Sequence, residues 1–254
     1  MSVIIGHASI NEKGGTRGGA PGDQTGIEVT KRNWYDKNWD AILRPKRYKL
    51  ALEMARICAD ICSNNFVGYD QPDRNSLYFY LKDKNFDISK IDRPLSCDCS
   101  SLMTFCAIAA GVTKLNYKTN APTTRNMVKL FLETGEFEGI TDEKYLKTDK
   151  YLEKGDILVS VGHHTVMALS DGEFARKKTE SLPLYFGYVT CNSLCVRDYP
   201  RTGRLISYLY KGEKVYIYMK DVDSGWYNIS DKGDALWVSN KYIRLEGWYE
   251  KENR

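Results

Sequence analysis

Histidine is scarce in this chain: three residues among 254, at His7, His163 and His164, so imidazole chemistry has few candidates. No apolar run approaches the roughly 18 residues of a spanning helix, which excludes a transmembrane helix. The opening stretch, MSVIIGHAS, lacks a basic leader followed by an apolar core, so no secretory signal is expected. Charge of one sign is lacking too. Lys plus Arg number 37 against 33 Asp plus Glu, and the resulting +4 forms no basic tail or stripe, so nucleic acid is not an expected partner. Seven cysteines at irregular spacing, in a chain long enough not to need staples, argue against a secreted disulfide framework.

What the chain does have is material for a core, with 42% hydrophobic and 28% charged residues. Its length suits two domains. Aromatics are uneven: 10 of 18 Tyr and 3 of 5 Trp follow Ser181. Six glycines crowd residues 11–26 (NEKGGTRGGAPGDQTG), which reads as a mobile loop. The Gly-Lys-Ser/Thr triplet of a phosphate-binding loop is missing from it. Leu50, Met54, Ile57 and Ile61 predict a helix from Arg47 to about Asn64, carrying Cys58 and Cys62 as core thiols rather than metal ligands. Leu102, Phe105, Ile108 and Ala109 predict another, with Cys97 to Ser101 at or before its start and Gly111 as its stop. A further helix is expected from about Thr124 to Thr134.

After Gly155 the period falls to two. Ile157–Ser160, Thr165–Ser170 and Glu173–Arg176 read as short strands, the last two joined by an Asp171-Gly172 hairpin turn. Helices first and a small antiparallel sheet afterwards predict an α+β domain over residues 1–180. Farther on, Ser193–Val196, Leu205–Tyr210, Val215–Met219, Trp226–Ile229 and Leu236–Val238 predict a small all-β barrel over residues 185–254. The boundary is expected within 177–187.

Cys99 falls at a predicted helix start, where unpaired N–H groups and the positive end of the helix dipole favour thiolate. His163 and His164 open a predicted strand, and a histidine within reach of the thiol would complete an activated nucleophile. Residue types alone leave Cys97, Cys99 and Cys106 open, although Cys106 lies mid-helix in an apolar run.

Asp98-Cys99-Ser100-Ser101 followed by an apolar helix resembles the nucleophile motif of NlpC-type cell-wall peptidases, a papain-like family. Ala121-Pro122-Thr123-Thr124 partly resembles that family's Pro-Arg-Thr-Ser stretch. Gly155-Asp156-Ile157-Leu158 resembles its Gly-Asp-Leu-Val strand, and the run from His164 to Gly172 its His-Val-Gly-Ile-Tyr hairpin. The pieces keep the family's order over roughly residues 95–177. The resemblance implies a papain-like fold, with Cys99 as nucleophile and His164, not His163, as base. The family's third residue is a polar acceptor on the strand after the histidine. Arg176 stands near that position, and guanidinium cannot accept a hydrogen bond. Glu173, Glu180, Asp23 and Gln24 remain open for the role.

GHASINEKGGTRGGAPGDQTGIEV, WYDKNW and GYDQPDRN resemble the N-terminal region of clostridial phage endolysins carrying this kind of domain. That resemblance makes Asp23, Gln24, Tyr69, Asp70 and Gln71 candidate substrate-binding residues, with Asp98 and Ser100 beside the nucleophile. Capping of turns and helices is the alternative. Leu194-Cys195-Val196-Arg197 with Pro200, Lys211-Gly212-Glu213-Lys214-Val215, and the later Trp226, Trp237-Val238 and Tyr242-Ile243 resemble bacterial SH3 domains. This implies a cell-wall-binding SH3-like barrel. Trp237, between Leu236 and Val238, is expected in its core, and Cys191 and Cys195 are open to pairing after release from the cell.

Together the resemblances imply an endolysin with peptidoglycan as partner and neither cofactor nor metal. The implied reaction is Cys–His hydrolysis of the γ-D-glutamyl–diamino acid bond of the stem peptide. The alternatives are an N-acetylmuramoyl-L-alanine amidase of the same fold and a catalytically inactive wall-binding protein. Synthesis in the bacterial host cytoplasm and release by a separate pore-forming partner complete the expectation.

Overall fold

The computed structural model describes residues 2–176, 183–221, 224–230 and 236–248. The chain divides into two compact units, Met1–Lys177 and Lys178–Arg254. Glu180 and residues 177–182 of the expected boundary lie outside the described residues.

The first unit begins with strands, not helices. β1 (Ile4–Ala8), β2 (Val29–Asn33) and β3 (Ala41–Pro45) precede α1 (Tyr48–Ile61). There follow β4 (Val67–Tyr69), α2 (Ser76–Leu81), β5 (Leu95–Cys97), α3 (Cys99–Ala109), α4 (Met127–Glu133) and β6 (Phe137–Ile140). The short α5 (Glu143–Leu146), β7 (Ile157–Ser160) and β8 (His164–Ala168) complete it. Six strands form one antiparallel sheet in the order β2-β1-β8-β7-β3-β6, while β4 and β5 make a separate parallel pair. The mixture of helix and sheet is that of an α+β unit.

Alternation along the strands separates two apolar layers. Val159 and Met167 pack with Met54, Cys58, Leu102, Phe105 and Cys106 of α1 and α3. Ile5, Leu158 and Val166 pack on the other layer with Val3, Trp39 and Ile42. Cys58 and Cys62 are thus core thiols, and among the described residues no group of three His, Cys, Asp or Glu side chains could hold a metal ion.

Two expectations need correction. The late strands β7 and β8 are two of the six in a larger sheet, whose early strands show no alternation because β1 and β3 are buried on both faces and β2 is largely exposed. The Asp171-Gly172 hairpin does not form. Gly172 N–H donates to the Leu152 carbonyl, Asp171 accepts from Lys154 N–H, and Arg176 pairs with Glu138 and Glu153. These bonds tie residues 171–176 to the stretch before β7, and the position beside β8 belongs to β1.

The Gly155-Asp156 turn owes its shape to a buried ion cluster. Asp156 accepts from Arg44 Nε at 2.8 Å and from Glu153 N–H at 2.8 Å, while Arg44 Nη1 lies 2.7 Å from Glu153. Arg44 sits on β3, so the cluster locks that strand to the turn leading into β7.

Apart from a 3-10 turn at Asn240–Tyr242, the second unit is built of strands where described. β9 (Tyr185–Val189) lies between β12 (Lys214–Ile217) and β16 (Ile243–Trp248). A second sheet runs from β11 (Leu205–Tyr210) through β10 (Ser193–Arg197), β15 (Trp237–Val238) and β14 (Tyr227–Asn228) to β13 (Met219–Lys220). Val189, Leu194, Val196, Val215, Ile217 and Val238 fill its core. Trp237 is only half-buried; its neighbour Val238 takes the inward position. Cys191 and Cys195 are free thiols.

Candidate active site

α3 starts at Cys99 because Asp98 caps it. Asp98 Oδ1 accepts from Ser101 N–H at 2.7 Å and Ser101 Oγ accepts from Asp98 N–H at 2.8 Å, a reciprocal capping box. Arg74 clamps this turn, donating to Asp98 Oδ2 at 2.6 Å, to Ser100 Oγ at 2.8 Å and to the Ala121 carbonyl at 2.8 Å. Asp98 and Ser100 are therefore held by the helix start and by Arg74. Cys99 is 6% exposed at the head of α3, which packs on β8, and the nearby backbone N–H groups of Thr165 and Ser100 favour its thiolate. Burial pushes its thiol up to about 12, and the charge of Asp98 adds to the rise.

His164 is the first residue of β8, and the packing of α3 on β8 brings the candidate nucleophile and the candidate base to one site. No hydrogen bond joins the Cys99 thiol to the His164 ring. Trp39 stacks on that ring at 6.4 Å between centroids. His7, on the adjacent β1, meets it edge-on at 5.8 Å and 81°. Both histidines are buried, and His7 Nδ1 and His164 Nε2 have no hydrogen-bond partner. Burial lowers His7 to about 4 with help from Arg32, and lowers His164 to about 3 with help from His7, Lys37 and Arg32. The site at rest holds a neutral thiol and two neutral imidazoles. His163 is exposed and lines an open cavity with Lys37 and Asp40.

The glycine-rich stretch is a hydrogen-bonded strap, most of whose residues are exposed. Gly19 N–H donates to Asp70, and Gln71 N–H donates to the Thr16 carbonyl. Tyr69 N–H donates to the buried Glu28, whose carboxyl is raised chiefly by burial. Asp23 accepts from the N–H groups of Thr25, Gly26, Glu28 and Val29, and Gln24 donates to Pro21 and Gly22. The Tyr69 hydroxyl, touched by Gln71, shares the electrostatic surroundings of Cys99 and is raised by burial. Of the candidates for a third residue, Asp23, Gln24 and Glu173 are engaged elsewhere, Glu173 with Lys150, and Glu180 lies outside the described residues.

Three residues at this site escape a reading of the sequence alone: His7, Tyr35 and Trp39. Tyr35 lies 6.4 Å from His7 and 5.9 Å from Trp39, with Arg32 over its ring at 4.7 Å. Their signal was the paired aromatics of WYDKNW and the rarity of histidine.

Residues 5–175 match the family described as Endolysin-like domain. The chain belongs to the endolysin-like domain family. The match covers β1 to the end of the first unit's described residues and leaves the second unit outside. No curated protein and no solved structure matches the chain. Membership gives this endolysin-like protein a cell-wall lytic function, with peptidoglycan as the polymer it acts on. Among its described residues no helix is long and apolar enough to cross a membrane.

Proposed function

We propose that the first unit is an NlpC-type, papain-like cysteine hydrolase that cuts an amide bond of the peptidoglycan stem peptide, with Cys99 as nucleophile and His164 as base. The observation that carries this reading is the packing of α3, which Cys99 opens behind its cap, against β8, which His164 opens. Because thiol and imidazole rest neutral, the Cys99 proton passes to His164 as the sulfur attacks the carbonyl carbon. The imidazolium then protonates the leaving amine, and the acyl-enzyme is hydrolysed by a water that His164 deprotonates. The Cys99 backbone N–H faces the developing oxyanion. His7, on the strand next to β8, packs edge-on against the base ring without a hydrogen bond to it, so the acceptor role left open at Arg176 has no residue assigned. Family resemblance favours the γ-D-glutamyl–diamino acid bond over the N-acetylmuramoyl–L-alanine bond.

The second unit is proposed as an SH3-type wall-binding barrel. Its exposed Tyr199, Tyr208, Tyr210 and Tyr242 supply contact area with a polar end. Release to the wall through a separate pore-forming partner belongs to the same proposal.

Clearing of a purified-wall suspension tests the catalytic assignment. Cys99→Ala and His164→Ala are expected to slow clearing by at least about a hundredfold, and His163→Ala by little. Equal clearing by Cys99→Ala would sink the assignment of the nucleophile, and no clearing by the unaltered chain would leave an inactive wall-binding protein as the better reading.

A further inference from the structure

Arg74, which holds Asp98 and Ser100 beside the nucleophile, also forms part of the wall of a cavity of about 670 Å3. The hydrogen-bond bookkeeping of that cavity runs in one direction. Ala121 N–H donates to Asn75 Oδ1 at 3.0 Å, so Asn75 Nδ2 donates to Asn120 Oδ1 at 2.9 Å. Thr123 N–H donates to Asn126 Oδ1 at 2.8 Å. The backbone donors thereby fix how both amides are turned. The Tyr78 hydroxyl donates to Asn116 Oδ1 at 3.5 Å.

Asn116, Asn120 and Asn126 all line the cavity, and each has its oxygen occupied and its NH2 group left over. Lys114 gives one proton to the Thr134 carbonyl at 3.0 Å and keeps two. Tyr117 lines the same cavity, with its hydroxyl buried and without a hydrogen-bond partner. The carboxylate in the lining, Glu133, pairs with Lys129 at 3.8 Å. Leu115, Pro122 and Leu130 supply apolar wall.

A lining of surplus donors and an unpaired positive charge suits an acceptor-rich anion with small apolar side chains. We propose that this cavity binds the carboxylate end of a short peptide, Lys114 taking the carboxylate and the asparagine amides the peptide carbonyls. The choice of a wall-type peptide rests on the proposed function; the donor lining stands without it.

The test is titration of the full chain, and of its Cys99→Ala variant, with N-acetyl-alanyl-alanine and with the C-terminal amide of that dipeptide, followed by calorimetry and amide NMR shifts. Saturable binding of the acid is expected in both proteins, with shifts over residues 114–126. The amide is expected to bind at least tenfold more weakly, and Lys114→Gln, with an unchanged melting midpoint, to lose at least tenfold for the acid. Equal binding of acid and amide, full affinity in Lys114→Gln, or no saturation at millimolar peptide would overturn the proposal. Binding by an unaltered chain that does not clear walls would defeat the catalytic reading alone.

Discussion

Burial sets the resting chemistry of Cys99, His164 and His7. With the thiol pushed up to about 12, iodoacetamide should modify Cys99 in the free protein at a rate that still climbs roughly tenfold per pH unit between pH 7 and 9. A rate that levels off below pH 7 would reveal a thiolate–imidazolium pair instead. The histidines bear on stability. His7 is lowered to about 4 and His164 to about 3, so between those values and the unfolded 6.5 the unfolded chain binds more protons and stability falls as pH falls. For His7 the loss across the window is on the order of 3 kcal/mol. In urea unfolding, His7→Gln should remove about 1.4 kcal/mol per pH unit from the slope between pH 4.5 and 6; an unchanged slope would mean His7 is not held neutral. Cys99 and His164 stood out in the sequence because their motifs are local. His7 did not, since its importance comes from β1 pairing with β8 across most of the unit.

At the scale of elements, close backbone approach decides several positions. A Cβ on Gly68 would lie 2.1 Å from the Gly22 carbonyl oxygen, where the strap crosses β4. Gly68→Ala is expected to destabilise the protein by about 1–3 kcal/mol and to increase proteolytic nicking within 11–26; an unaltered melting midpoint would refute that crossing. Asp156→Asn leaves the Arg44 charge short of a buried partner and is expected to cost about 3 kcal/mol in thermal or urea unfolding. The helices around Met54 and Phe105 were legible because they span several turns of periodic apolar residues. β1 to β3 were not, because β1 and β3 are buried on both faces and β2 is largely exposed, so none alternates, and their partners include strands distant in sequence. The hydrogen bonds of the strap were not legible for a related reason: the groups that make them, Asp70 and Glu28 among them, are ordinary loop residues until the chain folds.

For the whole molecule, the family match ends where the first unit ends, and the aromatic-rich second unit has its own core. A chain ending at residue 176 is expected to keep its clearing activity per bound molecule and to sediment less with purified walls; undiminished sedimentation would refute a wall-binding second unit. The central claim is amide cleavage by Cys99 and His164. Its most direct measurement is mass spectrometry of purified peptidoglycan after digestion by the full chain and by Cys99→Ala. New amino termini on stem-peptide fragments in the first digest, absent from the second, are the predicted result. New reducing sugar ends, or the same termini in both digests, would contradict it.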